Sequence, residues 1–153
     1  MLLYHLFITH SMDPRHEYNQ RWNFFYRITG CGMKIYNTYG RMIGTDIFAK
    51  YLQHLVGTQL KWPVERGVEV PLLWEGTPIG DSCTVDFLIG GKIACDFYRQ
   101  QSVGEPERNR LKALMTATHL PYGMVFNLAD GQHYCEWFYR DPATGIIEKI
   151  TRL

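Results

Sequence analysis

The chain has 153 residues, 46% of them hydrophobic and 20% charged, with a formal net charge of +1. That length and apolar content fit one domain with a substantial core and exclude a disordered chain. Its 16 basic and 15 acidic residues are spread evenly, which excludes a bulk polyelectrolyte binder and makes any charged surface local.

Residues 1–22 carry His5, His10, His16, Asp13 and Pro14 without a clean period and read as an N-terminal arm or extension; residues 23–153 read as a single domain. The opening MLLYHLFITH has an apolar run too short to cross a bilayer, and it lacks the basic n-region and small-residue cleavage site of a secretory signal. An organellar presequence has thin support, because arginine occurs there only at Arg15, Arg21 and Arg27, and Met12 offers an alternative start. Cys31, Cys83, Cys95 and Cys135 stand far apart, with no C-x-x-C and no histidine at zinc-ligand spacing. They read as buried free thiols. The expectation is a soluble intracellular protein of a reducing compartment, cytoplasm or organelle matrix, with no membrane span.

Over residues 23–37, Phe24, Ile28, Cys31 and Ile35 follow helical spacing despite Gly30 and Gly32, which close packing against a neighbour would explain. Thr45 and Asp46 suit a helix N-terminus, Ile47, Phe48, Tyr51, Leu52, Leu55 and Val56 form its apolar stripe, and Gly57 suits its end. After Pro63 the period becomes two. Val68, Val70 and Leu72 alternate with Glu69 and Pro71, a proline that marks an edge or a bulge. Residues 83–89 and 92–98 form two strands around Gly90-Gly91. A helix follows over 106–118, with Pro106 in its first turn and Leu111, Leu114, Met115 and Thr118 on one face. Residues 123–128 form a short strand, and 132–140 with 146–152 form a closing hairpin. Trp137 and Tyr139 share one face of it and Tyr134 and Phe138 the other, so both faces need cover from this chain or a partner. The order α-α-β-β-β-α-β-β-β points to a mixed α/β sheet with helices packed on it.

Asp86 and Asp96 stand in otherwise apolar strands, CTVDFLI and KIACDFY, where a carboxylate needs a partner, a metal or solvent. Register decides whether they meet. A two-residue turn pairs Ile89 with Lys92 and puts the aspartates on opposite faces; a three-residue Gly90-Gly91-Lys92 loop pairs Ile89 with Ile93 and puts Asp86 opposite Asp96. In the second register a hard cation such as Mg²⁺ relieves the repulsion of the two carboxylates, so Asp86 and Asp96 are the candidate metal ligands. The competing reading leaves one aspartate facing solvent.

From about Phe24 to Asn127 the order GRMIGTDIFAKYL, VEVPLLWEG, TVDFLIGGKIACDFY and PERNRLKALMTATHLPYGMVFNL resembles the GxxExxY family of the PD-(D/E)XK nuclease-like superfamily. The resemblance implies a mixed four-stranded core sheet with flanking helices, here followed by a C-terminal β-hairpin, and it favours the three-residue register. It also implies a divalent-metal nuclease site. The family's G, E and Y positions hold Met42, Thr45 and Phe48. Asp46 adjoins Thr45, but one helical step turns a side chain by about 100°, so it is a poor stand-in for the glutamate. Asp86 matches the first acid, Asp96 the second, and the lysine position is Tyr98, a neutral phenol. Arg99 alternates to the other face. Arg110, on the following helix, is the candidate replacement cation.

The resemblance therefore implies a catalytically degenerate nuclease-like domain, kept as a structural or accessory subunit of a larger, nucleoprotein-type assembly with protein partners. Two alternatives stand beside it. One is an active Mg²⁺-dependent nuclease using Asp86, Asp96 and Arg110. The other is a nucleic-acid-binding module without catalysis that uses Lys92, Arg99, Arg108, Arg110 and Lys112. With Tyr98 and Thr45 neutral, the expected site is an acidic pocket without a cation of its own.

Overall fold

The computed structural model describes residues 14–129 and 134–151. Its elements run α1 (Pro14–Arg21), α2 (Asn23–Tyr39), α3 (Thr45–Leu55), β1 (Val64–Trp74), β2 (Thr77–Ile89), β3 (Ile93–Tyr98), α4 (Glu105–Thr118), β4 (Tyr122–Asn127), β5 (Tyr134–Arg140) and β6 (Ile147–Lys149). Residues 1–13 of the expected arm lie outside the described residues. The rest of the arm, residues 14–21, is helical, and the Tyr18 hydroxyl donates to the carbonyl of Thr151 near the other end of the chain.

The strands form one sheet in the order β1-β2-β3-β4-β5-β6. Only β3 and β4 run parallel, because α4 carries the chain back across the sheet between them; the other neighbours are antiparallel hairpin partners. The expected four-stranded core with an appended hairpin is thus corrected to six continuous strands. β5 repeats the pairing of β4 residue for residue, from Tyr122↔Tyr139 to Asn127↔Tyr134, so the closing hairpin extends the core sheet. Pro71 meets both expectations made for it: β1 is an edge strand, and its pairing with β2 shifts between Pro71 and Leu73.

Helices cover both faces of the sheet. α2 lays Phe25 on Trp137, ring centroids 5.3 Å apart and nearly parallel, and Trp22 meets Tyr139 edge-on at 5.3 Å. On the other face Phe138 packs with Leu111 and Met115 of α4. The aromatic end of the chain is covered from within. α4 approaches β4 so closely that a Cβ on Gly123 would stand 2.7 Å from Met115 Sδ and 2.9 Å from Leu111 Cδ2. Among the described residues no helix is long and apolar enough to cross a membrane. The four cysteines are free, and Cys31, Cys95 and Cys135 are buried.

Three local expectations are corrected. Gly30 is exposed, and a methyl added there would meet nothing within 4 Å, so close packing does not explain that glycine; Gly32 is buried. Thr45 is the first residue of α3 and Gly44 precedes it as the cap, which as a glycine has no side chain to make a capping bond; Thr45 lines a pocket. Gly57 does not stop α3. The chain passes through a wider π turn, Val56–Leu60, and ends at Lys61 in the left-handed region (φ 62°).

Candidate functional site

The hairpin between β2 and β3 has the three-residue loop. Ile89 pairs with Ile93 and Leu88 with Ala94, and the loop is bridged by Lys92 N–H donating to Ile89 C=O at 3.1 Å. Gly90 and Gly91 both have positive φ (60° and 70°), which is why this loop takes glycines. The ladder stops at Leu88↔Ala94 although both strands continue. Asp86 and Asp96 therefore share a register without being ladder partners, and the gap where the strands part is a pocket of about 290 Å³.

Asp86 reaches that pocket through a fault in strand alternation. Phe87, Ile89 and their neighbour Val64 belong to the cluster under α2, whereas Val85, Val68 and Val70 belong to the cluster under α4. Strict period-two alternation would put Val85 on the face of Phe87. The faces exchange at residue 86 on β2 and residue 67 on β1, while pairing stays in phase on either side (Arg66↔Phe87, Val68↔Val85). Gly67 makes the exchange with φ 59°, and Asp86, opposite it, is left at the seam and exposed. Asp96 is half-buried on the face of Ala94.

The pocket walls are Thr45, Asp46 and Ala49 from α3, Arg66 from β1, Asp86 from β2, Cys95, Asp96, Phe97 and Tyr98 from β3, and Arg110 from α4. All five residues proposed for the site from sequence, Thr45, Asp86, Asp96, Tyr98 and Arg110, are brought together. Arg66 was missed. Its Nε donates to the backbone carbonyl of Asp86 at 3.0 Å, its Nη2 lies 3.9 Å from the Asp86 carboxylate, and its guanidinium stacks over Phe87. The alternating charge of VERGVEV gave only the signal of an ordinary edge strand.

Burial pushes the Asp96 carboxyl above its ordinary range and the nearby Asp86 adds to the rise, while Arg110 and the hydrogen bond from Tyr98 oppose it. Burial, then Asp96, push the Tyr98 phenol up, so the group at the lysine position is a neutral donor to Asp96. Burial, followed by Cys135 and Asp96, pushes the Cys95 thiol well up, which makes it a poor nucleophile. Asp46 is exposed and paired with Lys50 at 3.2 Å. The expectation of an acidic pocket with no cation of its own is corrected: Arg66 and Arg110 both line it.

The expected nucleic-acid contacts do not form one patch. Arg110 faces the pocket. Arg108 binds the buried Glu136 carboxylate through Nε at 2.9 and 3.0 Å, and Lys149 joins the same carboxylate. Lys112 holds its ammonium 5.8 Å from the Phe138 ring centroid, and Lys92 stands at the hairpin loop. Arg99 Nε donates to Leu128 C=O at 3.3 Å.

The donor set is two carboxylates, Asp86 and Asp96, a number that Mg²⁺ takes from a protein when it keeps its waters. Arg66 lies 3.9 Å from the first, Arg110 lines the same pocket, and among the described residues no three acidic, histidine or cysteine side chains converge.

A family model of the PD-(D/E)XK nuclease superfamily matches residues 23–137. An alkaline exonuclease from Laribacter hongkongensis is similar in structure, with 18% identity and a TM-score of 0.39 over 59% of this chain. The match covers 52% of that exonuclease, about half its length. No curated protein matches the chain.

Proposed function

Because the chain belongs to the PD-(D/E)XK nuclease superfamily, we propose that it is a catalytically degenerate member of the GxxExxY type, retained as an accessory subunit of a nucleoprotein assembly. One observation supports this reading: Arg66 lies 3.9 Å from the Asp86 carboxylate, and Arg110 lines the same pocket and attracts the Asp96 carboxylate, so positive charge of the chain itself competes with a metal there. Tyr98 and Thr45 stand where the family has its lysine and glutamate. Without that lysine, stabilisation of charge at phosphorus falls by an amount that costs about 2.7–4 kcal/mol for a single such donor elsewhere. A partner surface is supported by Tyr39, Met42, Ile47 and Tyr51, all exposed around α2 and α3, with Met42 86% exposed and the Tyr39 and Tyr51 rings stacked at 5.0 Å.

The test is incubation of the pure protein with single- and double-stranded DNA and RNA in Mg²⁺ or Mn²⁺, alongside isolation of the native protein to identify what co-purifies. The expected result is no cleavage and a stoichiometric partner. Arg110 beside Asp96 favours a second reading, an active nuclease using Asp86, Asp96 and Arg110; cleavage that vanishes in Asp86→Asn would establish it and overturn the first.

A further inference from the structure

A second cleft, of about 380 Å³, lies at the other end of β3, where the β2–β3 loop meets α2 and the start of β4. Its walls are the rings of Phe24, Trp62 and Tyr122, its floor is Ile89 and Ile93, and Gly90 and Lys92 form its lip. Ile93 is three residues from Asp96, about 10 Å along the strand and on the opposite face, so the cleft is separate from the aspartate pocket. Three features narrow its ligand. The three aromatic side chains are half-buried, each leaving surface uncovered, with the Phe24 and Tyr122 centroids 4.6 Å apart. The Arg27 guanidinium, which does not line the cleft, lies over the Trp62 ring 5.4 Å from its centroid and so backs the aromatic wall. Lys92 is exposed at the lip.

We propose that this cleft binds a nucleobase together with its attached phosphate: the base lies against Trp62 and Tyr122, and Lys92 meets the phosphate. An aliphatic ligand would leave Lys92 unused, and a bare anion would leave the ring walls unused. Aromatic side chains stack any base with little regard to sequence, and Lys92 adds a salt-sensitive contribution. The volume falls in the range of small-ligand sites, which begins at about 300 Å³. The choice of a nucleic-acid unit rests on the nuclease-like reading above, yet the residues are different ones.

The test is fluorescence anisotropy of a labelled oligothymidylate on the full chain, with adenosine monophosphate as competitor. Trp62→Leu and Lys92→Gln are each expected to weaken binding about tenfold, and raised salt is expected to weaken the wild type more than Lys92→Gln. Lys92 is exposed, so its substitution leaves the core intact even if Trp62→Leu unfolds. Competition by the mononucleotide identifies a free nucleotide as the ligand, and its failure beside oligonucleotide binding identifies a strand; either supports the shared chemistry. Wild-type affinity in Lys92→Gln and in folded Trp62→Leu overturns the proposal, as does a wild type that binds neither probe. If Arg66→Gln and Arg110→Gln abolish oligonucleotide binding while the cleft variants do not, this inference falls and the nuclease-like reading stands.

Discussion

Gly67 is where the placement of Asp86 can be tested without touching the acid. An L-residue in the left-handed region costs about 1–2 kcal/mol. Alanine also stiffens the unfolded chain, which returns about 0.4–1 kcal/mol. At φ 59°, with nothing within 4 Å of an added Cβ, steric crowding by neighbours contributes nothing further. Gly67→Ala should therefore destabilise the protein by about 1 kcal/mol. Gly30 supplies the opposite case. It is exposed inside α2 with the same empty surroundings, so Gly30→Ala should stabilise by about 1 kcal/mol through helix propensity. Urea unfolding of the two variants and the wild type reads both values against one baseline. Gly67→Asn, whose side chain tolerates the left-handed region, should recover part of the loss. If Gly67→Ala is as stable as the wild type, the left-handed residue is not what exchanges the strand faces, and the account of how Asp86 reaches the pocket fails.

Glu136→Gln should cost about 2 kcal/mol at neutral pH, because a carboxylate 1% exposed loses its charge-assisted bonds to Arg108 and Lys149. Burial works against ionisation of Glu136, but those two partners outweigh it and hold its carboxyl below the ordinary range. Its stabilisation is present above the unfolded-state value and lost as pH falls through the folded one, so acid unfolding curves of variant and wild type should converge only once pH has fallen below the lowered folded value. Asp96→Asn should raise the melting temperature at pH 7. The raised carboxyl makes ionised Asp96 a cost that is absent below the unfolded-state value and complete above the folded one, so the gain should shrink on acidification, as thermal melts across pH 3–7 will show. Replacing both Asp86 and Asp96 by asparagine should free Arg66 and Arg110 and tighten oligonucleotide binding several-fold in an anisotropy titration; unchanged affinity would show that the acids do not compete for those arginines.

Local features of the fold were legible where one residue decides the geometry. Gly90-Gly91 permitted the three-residue loop, and the register followed; Pro71 marked the edge and the bulge; Pro106 fell in the first turn of α4. The family resemblance, not periodicity, grouped the five proposed site residues, since Asp86 reaches the pocket only through the exchange of faces at Gly67. Arg66 was invisible for a physical reason. In VERGVEV it reads as one more alternating charge, and only the face exchange at Gly67 turns the neighbouring Asp86 into its partner. A glycine inside a strand warns of a bulge or a close approach, but it does not say that two paired strands slip together. The six-stranded sheet was missed because strands 132–140 and 146–152 look the same in sequence as a separate hairpin or as two more strands. What joins them to the core is the match between β4 and β5 along their whole length.

The near neutrality of the whole chain is repeated inside the pocket, and that bears on what the pocket can bind. Arg66 and Asp86 are 3.9 Å apart, and the carboxylate is 80% exposed, so their attraction is worth at most about 1 kcal/mol. Such a pair adds little stability, yet it decides the pocket's charge. A divalent cation must draw both acids away from their guanidiniums, and a phosphate must draw the guanidiniums away from the acids. Each ligand therefore competes with a group already inside the chain. Tyr98, on the same strand as Asp96, donates its hydrogen bond to that acid and brings no charge of its own to either ligand.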